Sequence, residues 1–242
     1  MSKDAARIDR AYPNRGLHGR VVHEIGLRIV SGQLEPGASL PNESELGAEL
    51  QVSRSVLRES MKVLAGKGLV EVRTKTGTRV RPRRYWHLLD PDVLSWQFEE
   101  AVTPKDLYDL LEFRLIAEPA VARLAAERRS DEGLEAIRGY FGEMAANLAV
   151  PESFIAADLQ FHTAIFDASG NELLQHIPAM IDVALRAGRR FHTREPGRYE
   201  KSLALHQTVL DAISSGDGEA AELAMRVLVV GARRDMEHYL DS

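Results

Sequence analysis

The segment from Leu40 to Val80 constrains the fold of this 242-residue chain more than any other part of it. Ser53 is a good N-cap for a helix from about residue 54 to 65, on which apolar and basic residues fall on opposite faces. A shorter helix precedes it, across a tight Gln51–Val52 connection of the length that helix-turn-helix motifs use. The pattern predicts a helix-turn-helix whose second helix is free to enter a DNA groove.

Two short strands are predicted directly after that helix, in residues 69–72 and 78–80. Gly68 ends the helix, and a glycine at the tip between the strands lets the turn approach a phosphate or a groove floor. The order of elements is typical of a winged helix-turn-helix domain that binds duplex DNA. The predicted DNA contacts are Ser53, Arg54, Ser55, Arg58, Lys62, Thr76, Gly77 and Thr78.

Each basic residue taken alone also fits the solvated side of an amphipathic helix, so the prediction depends on the surrounding elements. The charge distribution supports it. Residues 1–85 hold 16 Lys and Arg against 9 Asp and Glu, a net charge of +7, whereas residues 86–242 hold 15 against 27, a net charge of −12. A basic N-terminal domain concentrates DNA affinity there through counterion release.

The rest of the chain predicts an all-helical domain. We expect a winged helix-turn-helix in 14–84, a linker and connecting helix in 85–98, and a ligand-binding and dimerisation bundle in 99–240. With no cysteine, no long apolar run and no signal-peptide pattern, the sequence predicts a cytoplasmic protein without membrane contact. Predicted helices cover about 91–100, 104–128, 131–148, 151–168, 171–193, 198–214 and 218–240.

Three ionisable residues of this bundle lie among apolar neighbours, where an unpartnered polar group is costly. Asp158 and His162 are four residues apart and share a helix face, and His206 lies in a similar apolar setting on a later helix. A divalent metal would satisfy all three, with Zn favoured and Mn, Ni or Fe as alternatives. The competing interpretation is a buried Asp–His ion pair or a histidine paired within the core.

A second set of core-facing residues is cationic. Arg114 lies on an apolar stripe with Glu118 one turn beyond, so it either pairs with Glu118 or binds the carboxylate of a ligand. Arg186 and Arg189, near the end of a predicted helix, are further candidates for effector binding.

The block Leu34–Leu46 followed by Val52–Glu59 resembles the winged helix of GntR-family bacterial transcription regulators. The resemblance implies that Arg54 and Arg58 touch DNA from the recognition helix and that Gly77 lies at the wing tip in the minor groove. Many family members carry a DNA-contacting arginine where this chain has Ser44.

The segments Asp158–His162, Ala204–His206 and Ala224–Arg226 resemble the FCD ligand-binding domain of the FadR subfamily. That resemblance implies a metal held by one Asp and three His, with an open side for a carboxylate effector, and Leu228 stands at the fourth position. Residues 88–96, 112–114 and 118–123 resemble galactonate-operon repressors, which implies a sugar-acid effector such as an aldonate.

Together these features predict a homodimeric repressor that binds double-stranded operator DNA and is released by a small carboxylate or related hydroxy acid. Two other classes stay open at this point. One is a metal-dependent hydrolase that uses Asp158, His162 and His206, and the other is an architectural DNA-binding protein without a ligand.

Overall fold

The computed structural model describes residues 16–73, 77–100, 102–178, 182 and 197–240, which divide into two compact units. Unit 1 ends at Val102 and unit 2 begins at Thr103. No helix among the described residues is long and apolar enough to cross a membrane. Helices dominate both units, and the described strands form one two-stranded sheet.

Unit 1 opens with α1 (Gly16–Val30), α2 (Glu43–Glu49) and α3 (Arg54–Gly66). Asn42 caps α2, because its side chain accepts from the backbone N–H groups of Ser44 and Glu45, each at 3.0 Å. Ser53 caps α3 by accepting from the N–H of Val56 at 3.4 Å. Gln51, between the two helices, has a φ of 56°, and this left-handed residue makes the turn tight enough for a helix-turn-helix.

The wing consists of β1 (Val70–Arg73) and β2 (Gly77–Val80), paired antiparallel with Val70 opposite Val80. The predicted strand limits shift by one residue, and Thr76 lies outside the described residues. Gly68 joins α3 to the wing with a φ of 75°, and a Cβ atom there would lie 2.1 Å from the backbone oxygen of Tyr85. Only glycine fits this junction, because both the backbone conformation and the close approach exclude a side chain.

The helix expected as a connector, α4 (Pro91–Glu100), belongs instead to unit 1. Trp96 is 4% exposed, donates from Nε1 to His23 Nδ1 at 2.9 Å, and lies against Gly26 of α1. The buried Lys67 ammonium lies 2.8 Å from an Asp90 carboxylate oxygen, at the start of this helix. The expected limits at residues 85, 98 and 99 therefore move to 102 and 103, because the aromatic residues of this segment complete the core of unit 1.

Unit 2 contains α5 (Pro104–Arg128), α6 (Asp131–Ala146), α7 (Pro151–Ala168), α8 (Arg198–Ser215) and α9 (Gly218–Leu240). A short 3-10 turn spans Leu174–His176, inside the helix predicted for 171–193, and most of that predicted helix lies outside the described residues. Thr103 starts α5 with a capping box to Asp106, and Ser130 caps α6. The core is closely packed around Phe161, which is fully buried. The prediction of a winged helix followed by an all-helical bundle is confirmed.

Candidate functional site

The outer face of α3 presents the helix residues predicted to contact DNA. They are exposed because Leu57, Met61 and Leu64 turn the apolar side of the helix into the core of unit 1. An exposed stripe of one arginine per turn and neighbouring hydroxyls suits the phosphate and base edges of a groove. The exposed residues of this face are Ser53, Arg54, Ser55, Arg58 and Lys62.

Two of these cations are paired with carboxylates of unit 1. Arg58 Nε lies 3.0 Å from both carboxylate oxygens of Glu43, and Lys62 Nζ lies 2.7 Å from Glu59 Oε1. The ammonium of Lys62 lowers the pKa of Glu59 through a hydrogen bond and its charge. These pairs are exposed and therefore weak, so DNA phosphates can replace the carboxylates. Arg54 makes no ion pair with any described residue.

The wing presents an exposed cation, Arg79, that was not among the predicted DNA contacts. Gly77 is exposed and Thr78 is half-buried. Arg79 is also exposed, and its Nε donates to Ser39 Oγ at 3.3 Å. The sequence pattern that could have identified Arg79 is the period-two alternation of the strand, which puts Arg79 on the same face as Gly77.

In unit 2 a cavity of about 330 Å³ opens among α5, α7, α8 and α9, a volume in the range of small-molecule sites. Its wall combines apolar side chains with polar groups from all four helices. The four core-facing polar residues singled out from the sequence all line it: Arg114, Asp158, His162 and His206.

The predicted metal ligands come together in this cavity. His206 Nε2 lies 2.7 Å from Asp158 Oδ1, and His162 Nε2 lies 3.6 Å from the same oxygen. One ligand atom from each of the three residues lies within 4.8 Å of the others, and all three residues are buried. The spacing of four residues on α7 aligns Asp158 with His162, and α8 supplies His206 from the opposite side.

The outer nitrogen of each imidazole faces a group that accepts hydrogen bonds. His206 Nδ1 lies 2.8 Å from the backbone oxygen of Ser202, and His162 Nδ1 lies 2.8 Å from Glu118 Oε2. This arrangement turns the Nε2 atom of each ring towards Asp158. Asp158 Oδ1, His206 Nε2 and His162 Nδ1 are buried and have no hydrogen-bond partner of suitable geometry among the described residues.

Glu118 connects this cluster to Arg114. Both Glu118 and Arg114 are buried, and the guanidinium donates hydrogen bonds to the carboxylate from Nε and Nη2. Burial opposes ionisation of Glu118, but Arg114 and His162 overcome it and lower its pKa to about 2. Burial likewise works against the charge of Asp158, yet His206, His162 and Arg114 hold its pKa below the usual value. The ion pair between Arg114 and Glu118, one of the two alternatives for Arg114, is therefore present, and Arg114 also lines the cavity.

The predicted fourth ligand position is apolar, and two of the predicted effector-binding residues are not described by the structure. Leu228 is buried in the cavity wall, so the position implied for a fourth ligand offers an apolar side chain. Asp235, seven residues further along α9, is not among the clustered ligand atoms. Arg186 and Arg189 lie outside the described residues.

The cavity also has a cation that the sequence analysis did not select. Arg198 is the first residue of α8, and its Nη2 lies 2.9 Å from Asp235 Oδ2 on α9. Both residues line the cavity and are less buried than the central cluster. The sequence offered no short-range signal for this pair, because its members are 37 positions apart on different helices.

Family models account for both units. Residues 17–80 match the model described as bacterial regulatory proteins, gntR family, and residues 109–230 match the FCD domain. The chain belongs to the GntR family of transcriptional regulators, with an FCD domain behind the winged helix. It is a regulator and not an enzyme, so the hydrolase interpretation is excluded.

Individual relatives agree with this assignment. The chain is 35% identical over 219 residues to the galactonate operon transcriptional repressor of Escherichia coli K12, covering 90% of this chain and 96% of that protein. It is 35% identical over 205 residues to the transcriptional regulator LutR of Bacillus subtilis, covering 81% and 90%. Among solved structures, Streptococcus agalactiae GntR has a TM-score of 0.51 at 25% identity, with 90% and 99% coverage. Lar of Listeria monocytogenes shares the fold, with a TM-score of 0.64 at 19% identity and coverage of 93% and 98%.

The ion pair between Arg114 and Glu118 generates a stability prediction. Glu118→Gln should lower the free energy of unfolding of unit 2 by roughly 3–5 kcal/mol, because it leaves a buried guanidinium without a counter-charge. Urea unfolding followed by circular dichroism measures the change. Glu127→Gln is the matched control, since it breaks the exposed i,i+4 pair with Arg123 and should change stability little. An equal loss in both variants would show that Arg114 does not depend on Glu118.

Proposed function

We propose that this protein is an operon repressor that binds operator DNA through α3 and the wing and leaves it when a small hydroxy-carboxylate binds in the cavity of unit 2. The observation that supports this most strongly is the cavity itself. It brings a buried Asp–His–His cluster and a buried arginine to one cavity, and a metal held by the cluster would, together with the arginine, suit a carboxylate. A bundle that only held the DNA-binding units together would have no need of these buried charges, which argues against a purely architectural role.

The exposed face of α3 and the wing have separate roles in DNA binding. Arg54 and Arg58, one turn apart on α3, contact base edges or phosphates, and Ser53, Ser55 and Lys62 fix the register of the helix against the backbone. Gly77 and Thr78 form the part of the wing that approaches the adjacent groove. The guanidinium fork suits bidentate contacts to guanine.

The role of Arg58 can be tested separately from the ligand site. Arg58→Ala should weaken operator binding at least tenfold and reduce the salt dependence of the affinity, because it removes one groove contact and one cation. Fluorescence anisotropy of labelled operator at several salt concentrations measures both. Arg138→Ala, an exposed arginine of α6 paired with Glu135, is the control that should bind like the wild type. Unchanged affinity of Arg58→Ala across this salt range would exclude Arg58 from the DNA interface.

The three clustered residues fit a divalent metal. Asp158 Oδ1 and His206 Nε2 are buried, lie 2.7 Å apart and have no hydrogen-bond partner among the described residues, and a metal ion bound by both would satisfy them. Two imidazoles and one carboxylate suit Zn first, then Mn, Ni or Fe. When bound, the metal would supply positive charge for the oxygens of the effector. Ser202 and Glu118 orient the histidine rings, and Arg114 adds a buried cation to the same wall.

Metal content provides a direct test of this assignment. Protein prepared without chelator should contain close to one divalent metal per chain, and His162→Ala should lose most of it, because two ligands hold a metal far less well than three. Inductively coupled plasma mass spectrometry measures the content. His238→Ala, an exposed histidine of α9, is the matched control. Equal metal content in wild type and His162→Ala would favour the alternative, a buried Asp–His ion pair.

We also infer that the protein acts as a homodimer that binds two half-sites. Unit 2 leaves Ile116 of α5 71% exposed and Leu223 and Val227 of α9 63% and 49% exposed, and an apolar surface of this kind suits a second copy. Two winged helices per particle also match the usual symmetry of operators.

Mass measurement tests the dimer. Light scattering on the eluting protein should give twice the 26.9 kDa chain mass, and Leu223→Arg should shift it to the monomer mass, because a charge would be buried at the interface. Leu173→Arg introduces the same charge at a leucine of unit 2 that is 81% exposed and lies outside α5 and α9, and serves as the control. A monomer mass for the wild type at micromolar concentration would overturn the inference.

A further inference from the structure

We propose that Arg198 and Asp235 form a second recognition point in the cavity, which binds the hydroxyl groups on the tail of the effector. The effector is then a polyhydroxy monoacid with a chain of about six carbons. Short hydroxy acids and diacids bind more weakly. This inference rests on the proposed function, because it assumes that the carboxylate of the same ligand binds at the buried cluster.

The two residues form an ion pair at the more exposed part of the cavity. Arg198 Nη2 lies 2.9 Å from Asp235 Oδ2, and their side chains are 18% and 45% exposed. The central residues of the same cavity are far more buried, with Arg114 at 4% and His206 at 2%. The cavity therefore has a buried inner part around the cluster and a more exposed outer part around this pair.

Helix geometry sets the distance between these two parts. Arg198, Ser202 and His206 are spaced by four residues on α8 and lie along one face of that helix. A separation of eight residues at the α-helical rise corresponds to roughly 12 Å along the axis. A ligand whose carboxylate lies at His206 reaches Arg198 only if it carries a chain of several carbons. The long side chain of Arg198 covers part of that distance, so a six-carbon aldonate can contact both parts, whereas lactate is too short.

The chemistry of the pair favours hydroxyl groups over a second acid group. A guanidinium supplies five N–H donors and an ionised carboxylate supplies only acceptors, so the pair can donate to and accept from neighbouring hydroxyls. A second carboxylate could use Arg198 but would face the charge of Asp235. Lys201 also lines the cavity, but it is exposed and attracts anions of any length. Discrimination therefore depends on Asp235 together with Arg198.

Ligand binding by the full-length protein tests this inference. Isothermal titration calorimetry would compare two six-carbon aldonates, galactonate and gluconate, with lactate and with the diacid galactarate. The variants are Asp235→Asn and Arg198→Met. Glu237→Gln is the matched control, since it lies two residues beyond Asp235 on α9 and pairs with the exposed Arg233.

The inference predicts a selective effect. The wild type should bind at least one aldonate tenfold or more tighter than lactate. Asp235→Asn and Arg198→Met should each weaken that aldonate roughly tenfold, the cost of one charge-assisted hydrogen bond, and leave lactate within about twofold. Asp235→Asn should also narrow the gap between aldonate and diacid. Glu237→Gln should match the wild type.

Several results would overturn it. Equal weakening of lactate and aldonate by both variants would assign the pair a structural role. Tightest binding of galactarate would make the outer part an anion site, and tightest binding of lactate would show that the effector does not reach it. In these three cases the proposed function stands, because an acid still binds. If no acid binds the wild type, the proposed function itself fails and this inference fails with it.

Discussion

The buried carboxylate of Glu118 is the group on which the geometry of the helical unit depends. It binds the guanidinium of Arg114 on its own helix and faces Nδ1 of His162 on α7. A charge of this kind is stable in a protein interior only when it is fully paired, and its pKa of about 2 reflects that pairing. Glu118 lies 2.8 Å from Nδ1 of His162, and this contact orients the ring so that its Nε2 atom is directed towards Asp158. The orientation of the Asp158–His162–His206 cluster thus depends on Glu118, which is not itself one of the predicted metal ligands.

The same carboxylate explains how Arg114 can serve two purposes. Without Glu118 the guanidinium would be an unpaired charge in an apolar wall, and the unit would lose stability. With it, the arginine is held in one position, lining the cavity with donors to spare for a ligand. A pair that looked like an alternative to ligand binding in the sequence is, in our proposal, the support for it. Pre-positioned charge lowers the ordering cost of binding a small anion.

Local signals made most of the fold predictable from the sequence. The caps at Ser53 and Ser130 and the helix limits at Pro104 and Pro151 depend on neighbouring residues only, so the sequence shows them directly. Asp158 and His162 could be paired for the same reason, since one helical turn separates them. Packing between distant segments was not predictable. Trp96 contacts α1, so the helix that contains it belongs to unit 1, which ends at Val102. The pair between Arg198 and Asp235 and the contact of Glu118 with His162 likewise depend on how whole helices lie together.

The central claim is that a small acid bound at the buried cluster of unit 2 controls operator affinity, and one titration tests it most directly. Operator affinity would be measured for wild type and His206→Ala, each with and without saturating galactonate or gluconate. Allosteric coupling of ordinary strength predicts that one of these acids weakens operator binding of the wild type by roughly 5–150-fold. His206→Ala should bind the free operator like the wild type and respond to neither acid. An undiminished response in His206→Ala, or none in the wild type to any acid of a broad panel, would contradict the account.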